Sequence, residues 1–355
     1  NVGVDWGERT PNQFSIFTDD GELVKTGSIE RSVDGAYDLI DQIRDLESDP
    51  QKVRIGIDRK NDVISSVLHA EGYTIFPLNP LSAERARDIY YPTGQKDDSA
   101  DSKVHAHMVR TGWRSLRPLT PDDEKDHCIR ALLKQRNNLV NMRAQTRQRL
   151  GSVLQESSPV LSALCDNLRL QWVQDLLRRW PLEQEFIGAH GNALNGFLRD
   201  HPMIRQSTEQ RIRVAWGQTP YKHDGATAEC YKVQIESLMD TIASLGQQIE
   251  RLEEKIGELL ADHPEKDIFS SLPTDSEITI AALCTAFGPD RDEPHDWSDY
   301  SGYFGTSPIT ESSGKNKEVK MRRARDDTVH KALLDFADST RRKEHCWAYT
   351  YYERK

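Results

Sequence analysis

The 355-residue sequence predicts an α/β N-terminal domain with a mixed sheet, then a helical region with a coiled coil, then a mainly α C-terminal domain. Three observations carry that reading. Short apolar runs bounded by turn residues crowd the start of the chain and then cease. Beyond them the apolar spacing is helical, at three and four. Between residues 228 and 262 it tightens into a regular heptad. The expected domain limits are 1–155, 156–264 and 265–355.

Val2 to Asp5 is a short apolar run ending in an acid. Gln13 to Phe17 alternates polar and apolar, and Asp19-Asp20-Gly21 marks a hairpin turn before a third strand, Glu22 to Ile29. Ala36, Leu39, Ile40 and Ile43 have helical spacing. Val53 to Ile57 is a buried-type strand that again ends in an acid, Asp58. A helix near 61–70, a strand from Tyr73 to Phe76 and a helix opening at Asn79-Pro80 follow. The order β-β-β-α-β-α-β-α is RNase H-like, and in such a sheet the first and fourth strands are neighbours. A further helix runs from Lys96 to about Arg110, and a long amphipathic one from about 123 to 155. Residues 156–225 read as helical pieces broken by Pro and Gly. In 228–262, Ile235, Ile242, Ile249 and Ile256 alternate with Leu238, Leu245, Leu252 and Leu259. β-branched residues at one heptad position and Leu at the other favour a parallel two-stranded coil, so this seam is expected to pair two chains, with an intramolecular helical hairpin as the alternative. Residues 265–355 form a separate segment with few strand signals.

Composition narrows the function. Charged residues make up 29% and hydrophobic ones 36%, and no run approaches the roughly 18 apolar residues of a membrane span. No signal-peptide pattern opens the sequence, which starts at Asn1, so a few native residues are expected before it. The five cysteines are scattered, with no zinc-binding spacing, which argues for a reducing compartment. Net charge is −10, yet the basic residues are clustered. Cys128 to Leu150 holds Arg130, Lys134, Arg136, Arg143, Arg147 and Arg149 with no acid among them. Lys315, Lys317, Lys320, Arg322, Arg323 and Arg325 face one acid, Glu318. Both stretches are candidate nucleic-acid surfaces on an acidic body.

Phosphodiester chemistry often uses two hard divalent cations held by carboxylates from different elements. Asp5 and Asp58 end strands expected to be neighbours, and Asp98 and Asp101 share one helix face. Asp62 competes with Asp58 but falls a turn into a helix. Asp5-Trp6-Gly7 also suits a sugar-kinase or actin-like turn, but that class needs Gly-rich nucleotide loops, and the chain has no Gly-Gly pair and no GxGxxG. His105 and His107 read as packing or solvent residues, and only His105 shares the face of Asp101. Trp347, Tyr349, Tyr351 and Tyr352 suit core packing or base stacking.

Val2-Gly3-Val4-Asp5-Trp6-Gly7, then Pro77-Leu78-Asn79-Pro80, then Gly94-Gln95-Lys96-Asp97-Asp98-Ser99-Ala100-Asp101, then Leu116-Arg117-Pro118-Leu119 resembles the IS110-family transposases, DEDD recombinases with a RuvC-like N-terminal domain. The resemblance places the acidic set on Asp5, Asp58, Asp98 and Asp101, with aspartate at position 58 where the family usually has Glu. Gly302-Tyr303-Phe304-Gly305-Thr306-Ser307-Pro308 and Glu311-Ser312-Ser313-Gly314-Lys315 resembles the family's C-terminal block, which implies a catalytic serine at Ser313, with Ser312 the fallback. It further implies Mg²⁺ (or Mn²⁺), donor and target DNA, a structured bridge RNA that guides the reaction, and homodimers assembling into a homotetramer. The expected location is the prokaryotic cytoplasm, at the nucleoid, with no membrane partner. Two other readings stay open: a RuvC-like, metal-dependent, structure-specific nuclease that uses water, and a non-catalytic coiled-coil scaffold.

Overall fold

The computed structural model describes residues 1–6, 12–58, 63–91, 98–116, 118–119, 124–286, 296–313, 316–323, 325–343 and 346–354; at 81, 98, 99, 297 and 299 it describes the backbone alone. Asp62, Lys96 and Lys315 lie outside the described residues. The chain divides into two compact units, 1–123 and 124–355.

The first unit is built on a five-stranded sheet of order β3-β2-β1-β4-β5. Its strands are β1 (Val2–Asp5), β2 (Asn12–Phe17), β3 (Leu23–Ile29), β4 (Arg54–Ile57) and β5 (Thr74–Pro77). β2 runs antiparallel to β1 and β3, and β1, β4 and β5 are parallel. The expected neighbouring of the first and fourth strands is present, with Val4 beside Ile57. Four helices accompany the sheet: α1 (Val33–Arg44), α2 (Val63–Ala70), α3 (Pro80–Tyr90) and α4 (Asp98–Gly112). Ser32 starts α1 by accepting a hydrogen bond from the Gly35 amide at 3.0 Å.

Strand alternation then sorts the side chains by face. Val2, Val4, Ile55 and Ile57 join Leu39, Ile40, Ile64 and Leu68 of α1 and α2 in one buried core. Gly3 and Gly56, one step out of phase, meet α4 on the other face. The approach is close: a Cβ at Gly3 would sit 2.0 Å from the Ser102 carbonyl oxygen, and one at Gly56 would sit 2.9 Å from the His105 carbonyl oxygen. These two positions need glycine because backbone occupies the space a side chain would take.

Among its described residues, the second unit is helical apart from one hairpin. Its two long helices are α5 (Glu124–Ser157) and α11 (Gly225–Ala261). Between them come α6 (Pro159–Leu164), α7 (Gln171–Arg179), α8 (Glu183–Ile187), α9 (Gly191–Asp200) and α10 (Gln206–Trp216). After them come α12 (Lys266–Ser270), α13 (Glu277–Cys284), α14 (Trp297–Tyr303), strands β6 (Ile309–Ser313) and β7 (Asn316–Lys320), α15 (Asp327–Thr340) and α16 (Trp347–Glu353). The core around Trp180, Phe186 and Phe197 includes Leu150, Leu154, Ile235 and Met239.

Two expectations are corrected here. The Ile/Leu seam was expected to pair with a second chain, but it is buried within this one. Ile129 and Leu133 pack with Ile256 and Leu260, Leu139 with Leu245 and Ile249, and Leu150 and Leu154 with Ile235 and Ile242. Residue numbers rise on α5 as they fall on α11, so the pair is antiparallel. The heptad announces a seam but does not name the partner, and α5 supplies apolar residues at matching spacing. The second correction is the β6–β7 hairpin, which the sequence did not signal. All ten of its residues are exposed, so it has no buried face to imprint an alternating pattern.

Candidate active site

Asp5 has the parity of Gly3, and Asp58 extends that of Gly56, so both belong to the α4 face of the sheet. The direction of α4 then decides where its own acids fall. Near its C-terminus, Arg110 Nη1 donates to the Asp19 carbonyl at 3.4 Å, and the His107 ring lies 4.4 Å from that of Phe17. Further back, Ser102 Oγ is 2.8 Å from Ser15 Oγ. Midway along it, His105 Nδ1 is 2.9 Å from the Val4 carbonyl oxygen, while Gly3 lies against the Ser102 carbonyl nearer its N-terminus. The helix therefore starts beyond the carboxyl ends of β1 and β4, where Asp5 and Asp58 stand. Asp98 and Asp101 occupy its first turn, where the positive end of the helix dipole favours carboxylates. The side chain of Asp98 lies outside the described residues.

Each described acid has a distinct environment. Asp58 Oδ1 is buried with no hydrogen-bond partner among the described residues. Asp101 accepts from Arg87 of α3, with Nε at 2.8 Å and Nη2 closer still, and both side chains are 20% exposed. His105 is buried at 4% exposure. Burial holds its pKa below the usual histidine value, against the upward pull of the Val4 hydrogen bond and of the Asp58 and Asp101 carboxylates. In its neutral form it donates from Nδ1 to Val4, which leaves Nε2 as an acceptor. His105 therefore does more than the packing role the sequence suggested: it ties α4 to the strand carrying Asp5. Its position four residues after Asp101, on the same face, was the available signal. His107 does pack, between Phe17 and Tyr90.

Among the described residues, no three His, Cys, Asp or Glu side chains converge closely enough to hold a metal ion. The donor chemistry nonetheless fits a hard divalent cation. The predicted set is all carboxylate, and the buried, unpartnered oxygen of Asp58 is a group that a cation would satisfy. Arg87 supplies the positive charge at Asp101.

Ser313 belongs to the second unit. It ends β6, pairs with Asn316 across the hairpin and is exposed, as is Ser312. Lys320 is tied to Glu311 at 2.7 Å and Glu318 at 3.1 Å, while Lys317 and Arg323 are exposed. Arg322 is half-buried, and Arg325 donates to its carbonyl and pairs with Asp327. Gly305 takes φ +69°, and a Cβ there would clash with the Arg325 side chain. On α5, Arg130 donates to the Thr285 carbonyl at 2.9 Å, Arg136 pairs with Glu253 at 2.6 Å, and Lys134 is exposed. Arg130 and Arg136 thus link elements of the second unit.

Two family models match the chain. Residues 2–159 match a model of DEDD transposases of the IS110 type, and residues 266–353 match one described as transposase of the IS116/IS110/IS902 family. The mixed sheet, the helix-rich remainder and these matches define a DNA transposase. The chain belongs to the IS110 family and is the transposase of an insertion element. It is 24% identical over 327 residues to a protein assigned as the mini-circle transposase for IS117 of Streptomyces coelicolor, covering 90% of this chain and 79% of that one. It is 26% identical over 254 residues to a 43.6 kDa protein of insertion element IS110 from the same organism, covering 70% of this chain and 61% of the other. No helix among the described residues is long and apolar enough to cross a membrane.

Proposed function

We propose that this transposase cuts and exchanges DNA strands through a serine–DNA intermediate, with a RuvC-like acidic site assisting. The observation that carries the reading is the buried Asp58 oxygen, without a partner among the described residues, beside the strand bearing Asp5 and at the end of the sheet where the helix bearing Asp98 and Asp101 starts. These four residues would hold Mg²⁺, or Mn²⁺ in its place, which when bound neutralises charge developing on the phosphate. Asp58 has a shorter arm than the Glu usual in the family, and Gly56 lets α4 approach β4 closely. Ser313 Oγ forms a bond to phosphorus as one P–O bond of the strand breaks, and the departing sugar oxygen receives a proton. The serine must first lose its own proton to a base. The exposed hairpin suits a nucleophile that has to reach a DNA strand.

Family membership supports the rest. A structured bridge RNA pairs with donor and target DNA and supplies sequence specificity, while the protein reads backbone and shape. Homodimers assemble into a homotetramer, which brings the several active sites that strand exchange needs into one complex. The working division remains an acidic domain over 1–155, a helical region over 156–264 and a serine domain over 265–355. The setting is the prokaryotic cytoplasm, at the nucleoid.

The test is a denaturing gel of the full chain with its RNA, labelled donor and target DNA, and Mg²⁺. Wild type is expected to give a protein–DNA adduct that Ser313→Ala, Asp98→Ala and EDTA each abolish. Cleavage that survives Ser313→Ala but still needs Asp98 would instead identify a hydrolytic nuclease.

A further inference from the structure

Arg143 and Arg147 lie one turn apart on α5 and so share a face. Arg143 faces α11 at Gly246, where an added Cβ would lie 3.8 Å from its Nη1. Exposed Arg169 lies on the connection between α6 and α7, whose Leu168 lies against Gly151, one turn beyond Arg147 on α5. Burial, then the charges of Arg143 and Arg169, pull the pKa of Arg147 down. The Nε atoms of Arg143 and Arg147 are buried with no hydrogen-bond partner among the described residues. No ion pair to any of the three appears among the described residues, whereas Arg136 and Arg211 on the same unit each have a carboxylate.

Two partly desolvated guanidinium groups beside an exposed third, with no anion among the described residues, repel one another. The chain has acids to spare, 57 against 47 basic residues, yet no carboxylate pairs with these three among the described residues. A guanidinium presents a planar fork that matches phosphate oxygens, and an ordered cluster of them is a receptor for phosphate. We propose that Arg143, Arg147 and Arg169 form a phosphate-binding site that grips a nucleic-acid backbone without reading its sequence. The assignment rests on the transposase reading for the kind of phosphate, a phosphodiester strand rather than a small anion. RNA and DNA share that chemistry.

The experiment measures binding of the full chain to short duplex RNA and duplex DNA of arbitrary sequence across a salt series. Replacing all three by Gln is expected to weaken binding at least tenfold in one or both arms. The slope of log affinity against log salt should fall by about 2–3 for duplex DNA, at roughly 0.9 for each phosphate no longer neutralised. Arg147→Lys keeps the charge and loses the fork, so it should retain the slope and bind a few-fold more weakly. Arg205→Gln, an exposed arginine elsewhere, should change neither. The triple variant should melt no lower than wild type, because it removes repulsion. Unchanged affinity and slope in both arms would overturn the proposal, as would a lower melting temperature together with wild-type binding by Arg147→Lys. Loss of this site while the Ser313 adduct still forms would leave the transposase reading standing. Wild type that neither binds duplex nor forms the adduct would remove both.

Discussion

The carboxylates at the end of the sheet and the serine at the end of β6 are held in opposite ways. Asp5 ends and Asp58 directly follows strands buried on both faces, under a helix whose distance from the sheet is set by Gly3 and Gly56. His105 adds a hydrogen bond between that helix and β1. Ser313 sits on a hairpin with no buried residue and an ion-pair cluster, Lys320 with Glu311 and Glu318, on its surface. On the proposed mechanism, one half of the chemistry is pre-organised by a core. The other half is presented to solvent, where DNA and the assembly have to complete it. Pre-organised charge favours catalysis because it needs no rearrangement when charge develops. An exposed nucleophile favours access to a large substrate.

This contrast can be broken most directly by paired substitutions. Asp58→Asn and Ser313→Ala should each lower strand cleavage by a factor on the order of 10³ or more, measured as single-turnover rates. Their stabilities should differ in kind. Asp58→Asn removes the charge of a carboxylate whose Oδ1 is buried with no partner among the described residues, so its melting temperature should equal or exceed that of wild type. Ser313→Ala should stay within about 0.5 kcal/mol by chemical denaturation, as exposed substitutions do.

Gly3→Ala sharpens the comparison from the packing side. Its Cβ would meet Ser102 backbone at 2.0 Å, so α4 must lift or tilt. The expected cost is about 3 kcal/mol in urea denaturation, with metal-dependent cleavage lost alongside. A smaller effect comes from Ser32→Ala, which deletes the bond to the Gly35 amide and should cost about 1 kcal/mol. Glu311→Gln should be smallest. It breaks an exposed pair with Lys320, and no shift in melting temperature should be measurable.

The same contrast governs what could be read from the residues alone. The sheet was legible because β1 and β4 are apolar runs that lead into acids and a turn signal separates β2 from β3, and α1 because Ala36, Leu39, Ile40 and Ile43 form one stripe. The acids were legible because they fall at strand ends and at one helix start, which position alone reveals. The β6–β7 hairpin was not, since exposure on both faces leaves no pattern. Helices α7, α8 and α10 were hard to place for a different reason. Leu170, Leu182 and Arg205 precede them, and none caps with its side chain, so the usual start signals are missing. The seam on α11 was seen, but its partner lay about a hundred residues earlier in α5, and a heptad carries no address. Arg87 was passed over because an arginine on α3 gains meaning only once the fold sets it against Asp101.

The central claim is that the serine of the exposed hairpin becomes covalently joined to DNA. The most direct measurement is mass spectrometry of the protease-digested protein–DNA adduct after nuclease trimming. The expected result is a nucleotide phosphate on the peptide containing Ser312 and Ser313, with fragmentation placing it on Ser313. A phosphate on any other residue, or quantitative strand cleavage with no modified peptide, would contradict the account.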